Sequence, residues 1–126
     1  MPARRYSREH TWVLVDGERA RVGISEFAQS ELGDIAYVDL PEPGRRLQRG
    51  DTACTLESLK SSSEVYAPVT GVVVESNTML SSEESCSLVN RDPLGEGWLF
   101  AVRLENPSEL DQLLPEEEYL GYVAGG

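Results

Sequence analysis

Between Thr52 and Gly71 the chain reads as two short β-prone runs separated by a polar tip. Thr52 to Leu59 alternates, with Ala53, Thr55, Glu57 and Leu59 on one parity and Thr52, Cys54, Leu56 and Ser58 on the other. Glu64 to Ala67 is a second extended run, and Pro68 and Gly71 close it with a turn. Leu59-Lys60-Ser61-Ser62-Ser63 between the runs is small and polar, as a hairpin tip requires. Runs joined by so short a link pair antiparallel, because a parallel pair needs a long crossover.

Lys60 on that tip is the only lysine in the chain; every other basic residue is arginine. A primary amine can be acylated under mild conditions, whereas a guanidinium stays protonated and delocalised. Lys60 therefore reads as an attachment point that a modifying enzyme can reach. The competing reading is a solvated surface charge, the commonest role of a lysine at a turn. Spacing alone leaves both open.

The rest of the chain is punctuated in the same way. Thr11 to Asp16 and Arg19 to Ile24 are strand candidates joined at Asp16-Gly17. Ser25 is placed to cap a short helix from Glu26 to Leu32, whose Phe27, Ala28, Glu31 and Leu32 form a partly apolar face, with Gly33 as its stop. Asp34 to Leu40 predicts a strand with Ile35, Tyr37 and Asp39 on one parity, ended by Leu40-Pro41-Glu42-Pro43-Gly44. Arg45 to Gln48 is a short segment that turns at Arg49-Gly50-Asp51. Val72 to Ser76 is a strand; Asn77 to Leu80 and Ser82 to Ser87 are turns or single helical turns; Asp92 to Gly97 is a loop. Trp98 to Leu104 predicts a last strand with Trp98, Phe100, Val102 and Leu104 on one face. Ser108 is expected to cap a helix through Leu113-Leu114, and Pro115 to open a terminal helix over 115–123.

Composition narrows the function. A chain of 126 residues is expected to be one domain, residues 1–126. A net charge of −11 argues against nucleic acid and against an anionic membrane surface, and suits docking to basic entrances on enzymes. No apolar run approaches the roughly 20 residues that span a bilayer. Met1-Pro2-Ala3-Arg4-Arg5 is basic but lacks the apolar core of a secretory signal. Cys54 and Cys86 have no metal-type spacing; they read as small core residues in a reducing compartment, with one bridge still open. A single histidine, His10, removes a two-histidine metal site and leaves no nucleophile–base pair, so neither a metal nor a catalytic residue is expected. Trp12 and Trp98 read as core anchors.

Glu57-Ser58-Leu59-Lys60 with Tyr66-Ala67-Pro68-Val69-Thr70-Gly71 resembles the lipoylation hairpin of glycine cleavage H proteins, here about 52–71. The similarity continues through Glu9-His10-Thr11-Trp12, Gly23-Ile24-Ser25, Ala28-Gln29, Leu32-Gly33-Asp34, Leu40-Pro41-Glu42-Pro43-Gly44, Leu88-Val89-Asn90 and Pro93-Leu94-Gly95-Glu96-Gly97-Trp98, in the family's order. The resemblance implies a mainly β fold, the hybrid barrel–sandwich of lipoyl and biotinyl domains, with short helices including a C-terminal one. It implies covalent lipoate on Lys60, with Glu57, Ser58 and Glu64 as recognition residues for a lipoate ligase or a lipoyl/octanoyl transferase. It also implies a non-catalytic carrier that takes an aminomethyl group from the P protein to the T protein and reducing equivalents to the L protein. A monomer in the bacterial cytoplasm is expected, or in the mitochondrial matrix if a transit peptide has been removed.

The sequence departs from that family in the cleft that shelters the loaded arm. Many members carry histidine at the position of Phe27 and glutamate at that of Thr11, and tyrosine is common near Pro93-Leu94-Gly95. Glu9, Thr11 and Phe27 are the candidates for lining the cleft, and Glu9 or Glu64 could replace the lost polar groups. These departures keep two alternatives: an H-like lipoyl relay or donor, and an unmodified acidic interaction module. A biotinyl carrier would have methionines beside the lysine, where this chain has Leu59 and Ser61.

Overall fold

The computed structural model describes residues 4–81 and 85–125. Strands β1 (Arg4–Tyr6), β2 (Thr11–Asp16) and β3 (Arg19–Ile24) begin an antiparallel sheet of seven. It continues through β9 (Phe100–Leu104), β8 (Gly71–Ser76) and β5 (Arg46–Leu47), and β10 (Leu114–Pro115) lies beyond β1 at the opposite edge. A second sheet has β6 (Thr52–Ser58) between β4 (Ile35–Asp39) and β7 (Ser62–Tyr66). The helices are short: α1 (Glu26–Leu32), α2 (Leu88–Arg91) and α3 (Glu116–Gly125), with 3₁₀ turns at Thr78–Ser81 and Pro107–Gln112. This is the mainly β, barrel–sandwich architecture that the sequence implied.

Alternation along the strands builds the core. Val13, Ala20, Val22, Val73, Phe100 and Val102 of the large sheet enter one buried cluster with Ile35, Val38, Leu56 and Val65 of the small one. Burial of each such valine or leucine side chain contributes ~1.5–3 kcal/mol. Local signals behave as read at α1: Ser25 Oγ accepts from the Ala28 amide at 3.2 Å. Gly33 ends the helix at φ 80°, donating its amide to Gln29 O.

Elsewhere tertiary pairing overrides the local pattern. The parity expected for β4 fails because a bulge between Ile35 and Tyr37 shifts the register, so Ile35 and Val38 point inward and Tyr37 is exposed. A second bulge between Thr52 and Cys54 brings Ala53 and Cys54 into the interior together. The strand expected at Glu64 starts at Ser62, which shortens the tip. β9 begins at Phe100; Trp98 precedes it, half-buried and on the opposite side from Phe100, packed with Trp12 and the Arg21 guanidinium. Gly71 is not a turn residue but the first of β8, where a side chain would collide with the Arg103 carbonyl.

The helix expected from Ser108 is a 3₁₀ turn that begins at Pro107, with Asn106 at the capping position; Ser108 Oγ donates to Asn106 Oδ1 instead of capping. Pro115 stands in edge strand β10, where its missing amide costs no ladder bond, and α3 starts one residue later. Of the segment expected as a turn at Ser82 to Ser87, residues 82–84 lie outside the described residues. Cys54 and Cys86 are buried thiols with no disulfide between them, which closes the bridge alternative; desolvation, then Asp39, pushes the Cys54 thiol up.

Trp12 fixes one face of the large sheet. It is buried, its indole donates to Pro93 O at 2.9 Å, and a Cβ on Gly23 would lie 2.6 Å from its ring. Gly23→Ala is therefore expected to destabilise the fold by about 1–3 kcal/mol. Urea unfolding beside the parent checks this; an unchanged midpoint would mean that the indole can move aside.

Candidate functional site

Lys60 lies at the tip of the β6–β7 hairpin, exposed, with no ion-pair partner among the described residues. Ser58 organises the tip. Its amide donates to Ser61 O at 2.8 Å and its hydroxyl to the same oxygen at 3.0 Å. The hydroxyl oxygen also accepts from the amides of Lys60 (3.3 Å) and Ser61 (3.1 Å), which uses the donor and both acceptor sites of one serine. Leu59 N donates to Asp34 O at 3.1 Å, tying the tip to the chain that leaves α1. The stem of Lys60 passes over Gly33: a Cβ there would lie 3.0 Å from Cε. Sequence reading assigned Gly33 to ending the helix; that its bare backbone also beds the lysine depends on how hairpin and helix pack.

Beside the tip, α1 and the hairpin enclose a cleft of about 170 Å³. The apolar face of α1 supplies Phe27, Ala28 and Leu32 with the Glu31 carboxylate, and the hairpin supplies Leu56, Ser63, Glu64 and Val65. Glu9, His10 and Thr11, with Ile24, complete the lining. Three residues singled out from sequence as cleft candidates, Glu9, Thr11 and Phe27, thus meet in one cavity, and Glu64 joins them. Thr11 is buried, and Glu64 accepts from Thr52 Oγ1 at 3.3 Å. Glu57 and Ser58 are not in the cleft; Glu57 is exposed on β6, opposite Ser62 and Tyr37.

Sequence reading missed the wall behind the cleft. His10, in the left-handed region at φ 70°, sets its ring 4.7 Å from Phe27, centroid to centroid. Its Nδ1 and Ser25 Oγ each lie 2.7 Å from the Tyr119 hydroxyl of α3. Tyr119 in turn stacks on Tyr6 at 4.2 Å, and Tyr6 OH donates to Glu116 Oε2. No local pattern links residues 6, 10, 25, 27 and 119. Among the described residues there is no cluster of histidine, cysteine and carboxylate groups fit to hold a metal.

An exposed lysine on a braced hairpin of a small sheet, next to a cleft, has the arrangement of a swinging-arm carrier. The glycine cleavage H-protein family model matches residues 4–125. The chain is 43% identical over 124 residues to the glycine cleavage system H protein of Thermotoga maritima, covering 98% of each, and 48% identical over 115 residues to that of Carboxydothermus hydrogenoformans, covering 91% of this chain and 87% of that one. A crystal structure of the H protein of Mycobacterium marinum superposes with a TM-score of 0.87 at 32% identity, covering 98% of each chain. The chain belongs to the glycine cleavage H-protein family, whose members are lipoate-bearing, non-catalytic carriers.

Burial first, then the Glu116 carboxylate, pushes the Tyr6 phenol up to about 12. A folded-state pKa above the unfolded value favours the fold at lower pH. Stability from this group is full below about pH 10 and is lost as pH rises towards 12. Urea titrations across that window are expected to show falling stability, with a shallower fall in Tyr6→Phe; equal slopes would remove Tyr6 as the cause.

Proposed function

We propose that Lys60 is the residue that carries lipoate, through an amide on Nζ. The observation that carries this reading is a lone, exposed amine on a tip braced by Ser58 and by Asp34 O, in a member of a lipoyl-carrier family. The partners are the P, T and L proteins of the glycine cleavage system. When bound, lipoate supplies a disulfide that accepts the aminomethyl group at the P protein, yields it at the T protein and is reoxidised at the L protein. The chain's own contribution is tethering, which gives each enzyme a high local concentration of the carried group.

Glu57 and Glu64 flank the lysine on the two strands of the hairpin. Together with Ser58, which fixes the tip's backbone, they are the surface that a lipoate ligase or a lipoyl/octanoyl transferase reads. Acylation removes the lysine's charge and leaves the tip acidic, complementary to a basic entrance. Residues 1–126 act as one carrier domain, since both sheets share one core. The working form is a monomer in the bacterial cytoplasm, or in the mitochondrial matrix had a transit peptide been removed. Sedimentation of the purified protein and fractionation of the source cells test these assignments, and a dimer or a membrane-bound pool would overturn them.

Intact mass after incubation with lipoate and an active ligase tests the site. A lipoyl-sized increase is expected in the parent and none in Lys60→Arg. An increase that persists in the variant, or none in the parent, would end the assignment.

The cleft receives the arm, with Phe27 as an apolar wall and Glu9, Glu31 and Glu64 as acidic groups around it. Thr11 and Phe27 offer a carried amine less polar contact than the residues common in the family at those positions. The loaded carrier is therefore expected to have a shorter half-life than its Phe27→His variant, measured by mass spectrometry after mixing with the P protein and glycine. Equal half-lives would show that Phe27 does not weaken sheltering.

A further inference from the structure

The outer face of the seven-stranded sheet, turned away from the small sheet and its hairpin, sets four arginines against three carboxylates, Asp16, Glu75 and Glu105, and so departs from the acidic balance of the molecule. Strand register places Asp16, Arg19, Arg103, Val72 and Arg46 in one row across five strands. The next row holds Leu14, Arg21, Ala101 and Glu75. Four of the chain's arginines are thus exposed on one face of a protein whose net charge is −11. Arg19 and Arg103 are directly opposite each other, an arrangement in which like charges repel. Arg19 and Arg46 are partly compensated, at 2.8 Å from Glu75 and 3.0 Å from Glu105. Arg21 and Arg103 have no carboxylate in ion-pair reach among the described residues. Arg21 is held over the Trp98 ring at 4.9 Å and lines a hollow of about 320 Å³ together with Leu14, Asp16, Arg19, Glu75 and Ala101.

We propose that this face is a docking surface for an acidic segment of a partner protein, separate from the surface around Lys60. Arg103, set opposite a like charge, and Arg21, neither of them in an ion pair among the described residues, are placed to take up carboxylates, which a guanidinium holds through two parallel hydrogen bonds. A protein segment fits better than a nucleic acid. The face is interspersed with Asp16, Glu75 and Glu105, and the rest of the molecule repels a continuous polyanion. Because the sheet's other side is sealed in the core, a partner bound here leaves the hairpin free to swing. The face thus permits one contact to hold the carrier while its arm visits an active site. This surface does not depend on Lys60 being loaded.

The test is an NMR titration of the full chain with a short glutamate–alanine peptide, following the arginine Nε–Hε resonances. At low ionic strength the signals of Arg19, Arg21 and Arg103 are expected to shift together and saturate, and the affinity to fall at ~0.15 M salt, where charges beyond ~8 Å are screened. Arg21→Gln with Arg103→Gln should weaken binding several-fold, while Arg45→Gln, off this face, should not. Any of three results overturns the proposal: no shift in the parent, similar shifts for arginines over the whole surface, or binding unchanged in the double variant. Shifts that grow with protein concentration without peptide would also overturn it, since a second copy would then be the occupant.

Discussion

The inner residues of the hairpin strands, Leu56 and Val65, are buried in the same apolar cluster as Val22, Val73 and Val102 of the large sheet. The rest of the molecule depends on that contact. A three-stranded sheet with a polar, lysine-bearing tip has little to hold it in water, because an isolated hairpin is at best marginally stable. Sealed against seven strands, the base of the hairpin becomes rigid while the tip remains in solvent. A carrier needs that division: precise at the root, reachable at the end.

The same packing explains why the site has its particular neighbours. α1 is only seven residues long and could not stand alone. Its capped start and glycine stop fix where it lies, so its apolar face forms one wall of the cleft and Gly33 lies under the stem of Lys60. α3 closes the structure from the other end, and Tyr119 joins it to Ser25 and His10. The cleft is therefore backed by a chain of side chains that begins in β1 and ends in the last helix. A change in α3 can alter the cleft through His10, the lining residue that Tyr119 contacts.

Charge is arranged as unevenly as apolar surface. The carboxylates Glu57 and Glu64 stand on the hairpin, where acylation of the lysine would leave them unopposed, while arginines gather on the outer sheet face. A composition-level net charge conceals that polarity. It becomes visible only when register puts Arg19 beside Arg103, residues far apart in the chain.

The sequence by itself determined the elements governed by short-range chemistry. Asp16-Gly17 turned β2 into β3, Ser25 and Gly33 bounded α1, and the serine-rich tip exposed Lys60. The run of motifs around that lysine carried the family. The bulges at Ile35/Tyr37 and Thr52/Cys54, the two-residue strand at Leu114-Pro115 and the real role of Gly71 were decided by tertiary structure, because each is a response to what lies across a sheet. The site divides in the same way. That Lys60 would be presented was legible locally. That Glu9, Thr11, Phe27 and Glu64 would share one cleft, with Tyr119 behind it, was not, since those contacts arise only when apolar faces distant in sequence are driven together to leave water.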